Sequence, residues 1–351
     1  MLVTNVQVLR FVAAALVIVA HSIDLASPGA GLSNALQDFG AVGVDIFFVI
    51  SGFIITRAGF LGGHRRDPRD FAIGRIVRVV PLYYLLTVPW IISGFRSGSI
   101  EMTSLLTTLT FWPAIGGETV SPVLWLGWTL SFEMLFYAAA SLVLLVNRPW
   151  IVVVLAVAYF ASWIAREVTS DPAFMFLGNP IILEFLMGVG IAHVTKSTPA
   201  AVARPLIVLA AAWFIVTIIV GYGGIHQSIL TTTGTLSLQR ALVWGVPAAL
   251  LVWGSAIDRP WTSSSTVGSL VWLGGASYSM YLIHPLFLRG LDVVLSTVSM
   301  SLPWPVLVVI GTGGSIVVGA LTYSLVEQPL MRLFKPKKKA PGAQSVPADA
   351  R

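Results

Sequence analysis

Apolar runs about as long as a bilayer crossing follow one another along the chain, separated by short polar breaks. They fall near residues 6–25, 40–60, 76–96, 123–146, 150–167, 177–194, 205–222, 238–257, 269–290 and 304–328. About 20 mostly apolar residues make one helical crossing of the hydrocarbon core, so the pattern predicts ten transmembrane helices. An all-α polytopic bundle follows, because lipid offers the backbone no hydrogen-bond partners. Segment 94–122 departs from the rhythm: its apolar middle, 104–112, is too short to cross and predicts a re-entrant or interfacial helix. The membrane domain is expected over 1–334, and a basic, then Ala/Pro/Gly-rich, disordered cytoplasmic tail over 335–351. The first run has no basic leader and contains Arg10 and His21, so it reads as a retained span. No internal repeat of the inverted-transporter kind is visible.

Composition agrees with this picture. Hydrophobic residues make up 56% and charged residues 10% of the 351 positions, against roughly 45–50% and 25% in soluble domains. Zero cysteines exclude disulfides, thiolate catalysis and Cys-ligated metals. The net charge of +6 suggests nucleic acid only until the cations are placed. With a cytoplasmic N-terminus, sixteen Lys/Arg fall in inner loops and the tail, and four, Arg96, Arg166, Arg240 and Arg289, fall outside. This positive-inside bias accounts for the charge, supports an even number of spans and puts both termini in the cytoplasm. The expected place is a plasma (inner) membrane, with lipid as the surrounding partner.

Ionisable residues inside spans are costly, and they mark candidate chemistry. Arg10 and His21 are eleven residues apart, about 16 Å of rise and about 20° from a whole number of turns, so they share a face. Arg10 lies near the cytoplasmic boundary, where a snorkelling arginine is the ordinary alternative. Asp45 enters the second span at the depth of His21, and an Asp–His pair is the economical expectation, since a carboxylate fixes an imidazole's tautomer and raises its basicity. Glu133 and His284 are further ionisable groups at membrane depth. Glu184 and Glu327 read as groups toward the inner ends of their spans, where they cap a helix, pair with a loop arginine or meet water. Between the second and third spans, Arg75 and Arg78 present two guanidinium forks to one side of a helix, suited to phosphate. No HxxxH or HxxE pattern suggests zinc, and no glycine-rich phosphate loop is present.

At these residues the chain resembles the acyltransferase family 3 membrane proteins, from Asn5 to about Pro329. The resemblance is carried by Leu9-Arg10-Phe11 with His21-Ser22, by Gly43-Val44-Asp45-Ile46-Phe47-Phe48-Val49-Ile50-Ser51-Gly52, and by Arg75-x-x-Arg78. Trp128-Thr129-Leu130 with Glu133 and Phe136-Tyr137, and Ser277-Tyr278-Ser279 with His284, complete five motifs in order. Gly127-Trp128-Thr129-Leu130 and Asn179-Pro180-Ile181-Ile182-Leu183-Glu184-Phe185 are most similar to the exopolysaccharide O-acetyltransferases.

This resemblance implies transfer of an acyl group, usually acetyl, from cytoplasmic acyl-CoA to a hydroxyl of a glycan at or beyond the membrane, with no metal. The donor phosphates would lie near Arg10, Arg75 and Arg78. His21 would be the general base and Asp45 its orienting acid, with Glu133 and His284 in the same polar site. Tyr281, Trp128 and His284 are open choices for stabilising the oxyanion. Family members with a fused extracytoplasmic domain differ, so this chain is expected to act alone or with a separate polysaccharide-assembly partner. A proton-coupled transporter or flippase, which would use the same intramembrane charges as a relay, is the alternative class.

Overall fold

A computed structural model describes residues 4–26, 32–62, 66–221, 226–227, 231–257 and 265–334. The predicted tail, His64, Arg65 and Arg259 lie outside these residues. In chain order the helices are α1 (Thr4–Ala26), α2 (Leu32–Gly40), α3 (Val42–Gly59), α4 (Pro68–Ser97), α5 (Met102–Thr110), α6 (Gly127–Val146) and α7 (Trp150–Thr169). There follow α8 (Pro172–Leu177), α9 (Ile182–Val194), α10 (Ala203–Val220), α11 (Ser237–Ile257), α12 (Ser265–Thr297) and α13 (Trp304–Phe334). Between α5 and α6, β1 (Ala114–Ile115) and β2 (Glu118–Thr119) form an antiparallel hairpin.

Among the described residues nine helical segments are long and apolar enough to cross a membrane, and they coincide with nine of the predicted spans. The other predicted span, 269–290, is α12, a continuous helix of 33 residues, about 50 Å long. Ser277, Tyr278, Ser279, Tyr281 and His284 make it less apolar, and four of these, all but Tyr278, are fully or nearly buried, so its polar face is turned into the bundle. The chain is thus a polytopic membrane helix bundle. Helix α5, nine residues long, is the short element expected before the fourth span. It is tied to α4 by the Tyr84 hydroxyl, which donates to the Leu109 carbonyl at 2.6 Å.

Helix α1 is the axis on which the site is built. Ala13 and Ala14 are fully buried, and α3, α12 and α13 pack around the helix. Two glycines allow this approach: a Cβ on Gly43 of α3 would overlap the Ala13 carbonyl, and one on Gly274 of α12 would overlap that of Gln7. Small residues replace hydrophobic collapse as the means of bringing helices together in lipid. Helix α7 is the opposite case, with Ile151 alone among its side chains buried and Val153, Ile164 and Val168 at the surface, as a lipid-facing helix requires.

Candidate functional site

Helix α4 begins where Asp67 accepts hydrogen bonds from the backbone N–H groups of Arg69 (2.8 Å) and Asp70 (3.2 Å), with Pro68 in the first turn. The helix started there carries Arg75 and Arg78 to a cavity of about 110 Å3, which Arg10 of α1 also lines. Ser51, Glu133, Tyr137 and Tyr278 complete its polar wall. Arg75 is held by aromatic faces, its guanidinium carbon 5.3 Å from the Phe71 ring and 5.8 Å from the Tyr137 ring. Glu133 accepts a hydrogen bond from Ser51 Oγ at 2.8 Å and feels the charges of Arg75 and Arg10. Glu327, 2% exposed, accepts one from Ser279 Oγ at 2.5 Å. Among the described residues no carboxylate lies within 4.0 Å of these three guanidiniums. The arginines that sequence spacing singled out therefore meet in one place, with their donors free for an anionic ligand.

A second cavity of about 280 Å3 opens toward the other end of the same helices, lined by His21, Asp24, Gln37, Asp38, Trp125, Trp128, Arg240 and Tyr281. Each of α1, α3, α6 and α12 contributes to both cavities or to the segment between them. His21 lies edge-on to Trp125, with ring centroids 5.0 Å apart, and stacks on His284 at the same centroid distance.

The two imidazoles are joined directly, His21 Nδ1 to His284 Nε2 at 2.9 Å. His284 Nδ1 faces the Met280 carbonyl at 3.3 Å. A carbonyl only accepts, so His284 carries its proton on Nδ1 and, when neutral, has a bare Nε2. His21 must then donate from Nδ1, which leaves His21 Nε2 as an unprotonated nitrogen on a ring that lines the cavity. His284 is fully buried and gives His21 what the expected carboxylate would have given, an orienting partner.

Asp45 does not supply that partner. It is fully buried and forms a bidentate pair with Arg240, whose Nε and Nη2 each lie 2.8 Å from a carboxylate oxygen. Depth alone suggested His21; direction decides otherwise, because Asp45 on α3 faces α11 while His21 on α1 faces α12. Charge counting assigns Arg240 to the outer side with Arg96, Arg166 and Arg289; the side chain is 1% exposed. It donates further to the Ala41 carbonyl at 3.1 Å and lies over the rings of Trp244 and Trp128. Glu184 is likewise corrected: rather than meeting a loop arginine or water, it is fully buried against the Asp45–Arg240 pair. A backbone glycine, Gly245, makes room for its carboxylate. The signal for Arg240 was its place inside the eighth apolar run, where a cation demands a buried partner. Among the described residues no three His, Asp or Glu side chains converge as metal ligands.

Fold and site together define a membrane-embedded bundle with a cationic cavity and a histidine-bearing cavity joined through the same helices. The family of acyltransferase domains matches residues 3–324, and the chain belongs to this family, acyltransferase family 3. It is a membrane acyltransferase. It is 31% identical to the exopolysaccharide production protein ExoZ of Rhizobium meliloti (strain 1021), over 86% of this chain and 93% of that protein. It is 24% identical to nodulation protein 10 of Rhizobium leguminosarum bv. viciae, over 94% and 93% of the two chains. A third relative, YrhL of Bacillus subtilis (strain 168), named as a candidate peptidoglycan O-acetyltransferase, is 26% identical over 83% of this chain and 50% of its own length. No solved structure matches the chain.

Proposed function

We propose that the protein is an O-acyltransferase of the plasma membrane that moves an acyl group, acetyl above all, from cytoplasmic acyl-CoA to a glycan hydroxyl at or beyond the outer face. The observation that carries this reading is the opposite chemistry of two cavities that meet inside one bundle. Three free guanidiniums suit the phosphates of CoA, since charge-assisted and bidentate contacts to phosphate are what arginine provides. The positive-inside bias would put that cavity at the cytoplasmic face. The names of the relatives, exopolysaccharide production and peptidoglycan O-acetylation, support a glycan acceptor.

In the reaction, the acceptor oxygen attacks the thioester carbon while His21 Nε2 takes the hydroxyl proton. The C–O bond forms, the C–S bond breaks, and the proton passes to the departing sulfur, so the cycle is proton-neutral. His284 holds the reactive tautomer of His21. Arg10, Arg75 and Arg78 bind the donor. Glu133, hydrogen-bonded to Ser51 in the same cavity, adds negative charge near Arg10 and Arg75 without contacting either. Asp45 has no step in the transfer; with Arg240 it braces α3.

Purified protein in lipid, given acetyl-CoA and the host's surface polysaccharide, should release CoA only when the polysaccharide is present and should leave ester-linked acetyl on it. Acceptor movement across the bilayer without CoA release would make the protein a transporter instead.

A further inference from the structure

Two tryptophans line the histidine cavity, and their surroundings differ. Trp128 is 8% exposed, with its ring edge-on to those of Phe48 and Phe132 and beside the Arg240 guanidinium. Trp125 is 38% exposed, and its ring contact is with His21. The turn that carries Trp125 explains its position. Leu124 and Leu126, on either side of it, are buried in the apolar core, so both neighbours draw the backbone inward and leave the indole standing out. The turn is closed by the Gly127 N–H, which donates to the Leu124 carbonyl at 2.8 Å, and by the Trp128 N–H, which donates to the Trp125 carbonyl at 3.2 Å. A large aromatic ring fixed in the open wall of a cavity is a preorganised contact surface.

The same cavity offers hydrogen bonds. Asp24 Oδ1 accepts from Gln37 Nε2 at 3.0 Å, and both residues line the wall with Trp125. A carboxylate has about four acceptor sites and a primary amide both donates and accepts, so groups of this kind hold several partners at once. A ligand that takes both kinds of contact has a flat apolar face and a rim of hydroxyls. A sugar ring in the chair form has that shape: its axial C–H bonds meet the electron-rich face of an indole while its equatorial hydroxyls radiate outward. The rings of Trp125 and His21 have centroids 5.0 Å apart and planes at 78°. A sugar lying flat on Trp125 is therefore nearly perpendicular to the imidazole and turns its rim, not its C–H face, toward the side on which His21 lies.

Resting on the acyl-transfer reading above, we infer that Trp125 is the surface on which the acceptor sugar ring stacks, and that Asp24 and Gln37 take hydroxyls at its rim. Stacking fixes the plane of the ring, and the hydrogen bonds fix its rotation in that plane, so that one hydroxyl faces His21. Several hydroxyls of similar reactivity are thereby told apart by position. Binding the acceptor falls to Trp125, and proton removal to His21.

The test uses oligosaccharides cut from the host's surface polysaccharide, with their esters removed by mild alkali. They are titrated onto the purified full-length protein in lipid without CoA, and then used as acceptors with acetyl-CoA. Trp125→Ala should raise both the oligosaccharide Kd and the acceptor KM by about tenfold, the scale of truncating an aromatic anchor. The KM for acetyl-CoA should stay at the wild-type value. Trp125→Phe, which keeps a flat ring, should recover most of the affinity. Trp125→Leu, apolar but not flat, is read beside Trp125→Ala, and CoA binding verifies that each variant is folded. Unchanged oligosaccharide affinity in the Ala and Leu variants, a Phe variant as weak as the Leu one, or a fall in kcat at unchanged acceptor KM would overturn the stacking surface alone. Wild-type protein that binds the oligosaccharide through Trp125 but releases no CoA would overturn the transfer reading and leave Trp125 a sugar-binding residue. Neither binding nor CoA release would overturn both.

Discussion

The two cavities are walled by the same helices and filled with opposite chemistry. At one end Arg10, Arg75 and Arg78 gather with their donors free. At the other, Asp24, Asp38 and Gln37 lie with two tryptophans and two imidazoles, those of His21 and of His226, which pairs with Asp38 at 3.4 Å, and the one arginine there, Arg240, is committed to Asp45. An anion is favoured on the first side, so on the proposed reading the bundle would sort a phosphorylated donor from an uncharged hydroxylic acceptor by the end each enters. The two buried polar pairs show the same division of labour. His21–His284 is a pair that, when neutral, leaves a ring nitrogen to spare, suited to chemistry, whereas Asp45–Arg240 is a bidentate ion pair, suited to bracing.

The largest effect should come from the neutral pair. His21→Ala is expected to lower turnover by about 10²–10⁴-fold, the worth of a general base, with the protein still inserting and still binding CoA. Acceptor-dependent CoA release is the measurement, and a variant retaining more than about a tenth of the wild-type rate would remove His21 from the base role.

The ionic pair should respond in stability instead. Asp45→Ala removes the bidentate partner of the buried Arg240 and leaves it only the nearby Glu184 carboxylate and the Ala41 carbonyl, expected to cost up to about 3–5 kcal/mol. Removing both charges together, as Asp45→Leu with Arg240→Met, should recover most of that loss. Thermal unfolding in lipid or detergent measures both. If Asp45→Ala melts like the wild type yet loses turnover as His21→Ala does, the assignment of one pair to chemistry and the other to bracing fails.

At the donor end, Arg75→Ala or Arg78→Ala should weaken CoA binding by roughly ten- to a hundredfold, since a charge-assisted contact contributes about 1.5–3 kcal/mol. Lysine should rescue only in part, lacking the planar fork. Titration with CoA and dephospho-CoA checks this, and unchanged affinity for both would make these arginines topological signals only. The smallest effect is steric. Gly274→Ala puts a methyl group on the Gln7 carbonyl and should destabilise the α1–α12 contact by about 1–3 kcal/mol, with CoA affinity at the arginine cavity changed less than by Arg75→Ala. Unfolding midpoints of the purified variant report it.

Much of the molecule follows from sequence by itself, because lipid leaves few choices. A backbone that finds no water must be helical, a run of about 20 apolar residues must cross, and cations prefer the inner loops. The bundle, its crossings and the short α5 were legible for that reason. The shared face of Arg75 and Arg78 was legible from spacing within one helix; that Arg10 joins them was an expectation tied to the family resemblance, which the cavity now shows.

What periodicity does not carry is the rotation of one helix against another. Asp45 and His21 share a depth, and depth suggested a pair; only packing shows that Asp45 points to Arg240 and that His21 meets His284, 263 residues away in the chain. The same limit hid Glu184 beside that ion pair. Pairing across a bundle depends on the azimuth at which each helix docks. That is set by contacts such as Gly43 on the Ala13 carbonyl and Gly274 on that of Gln7, which exist only once the helices are packed.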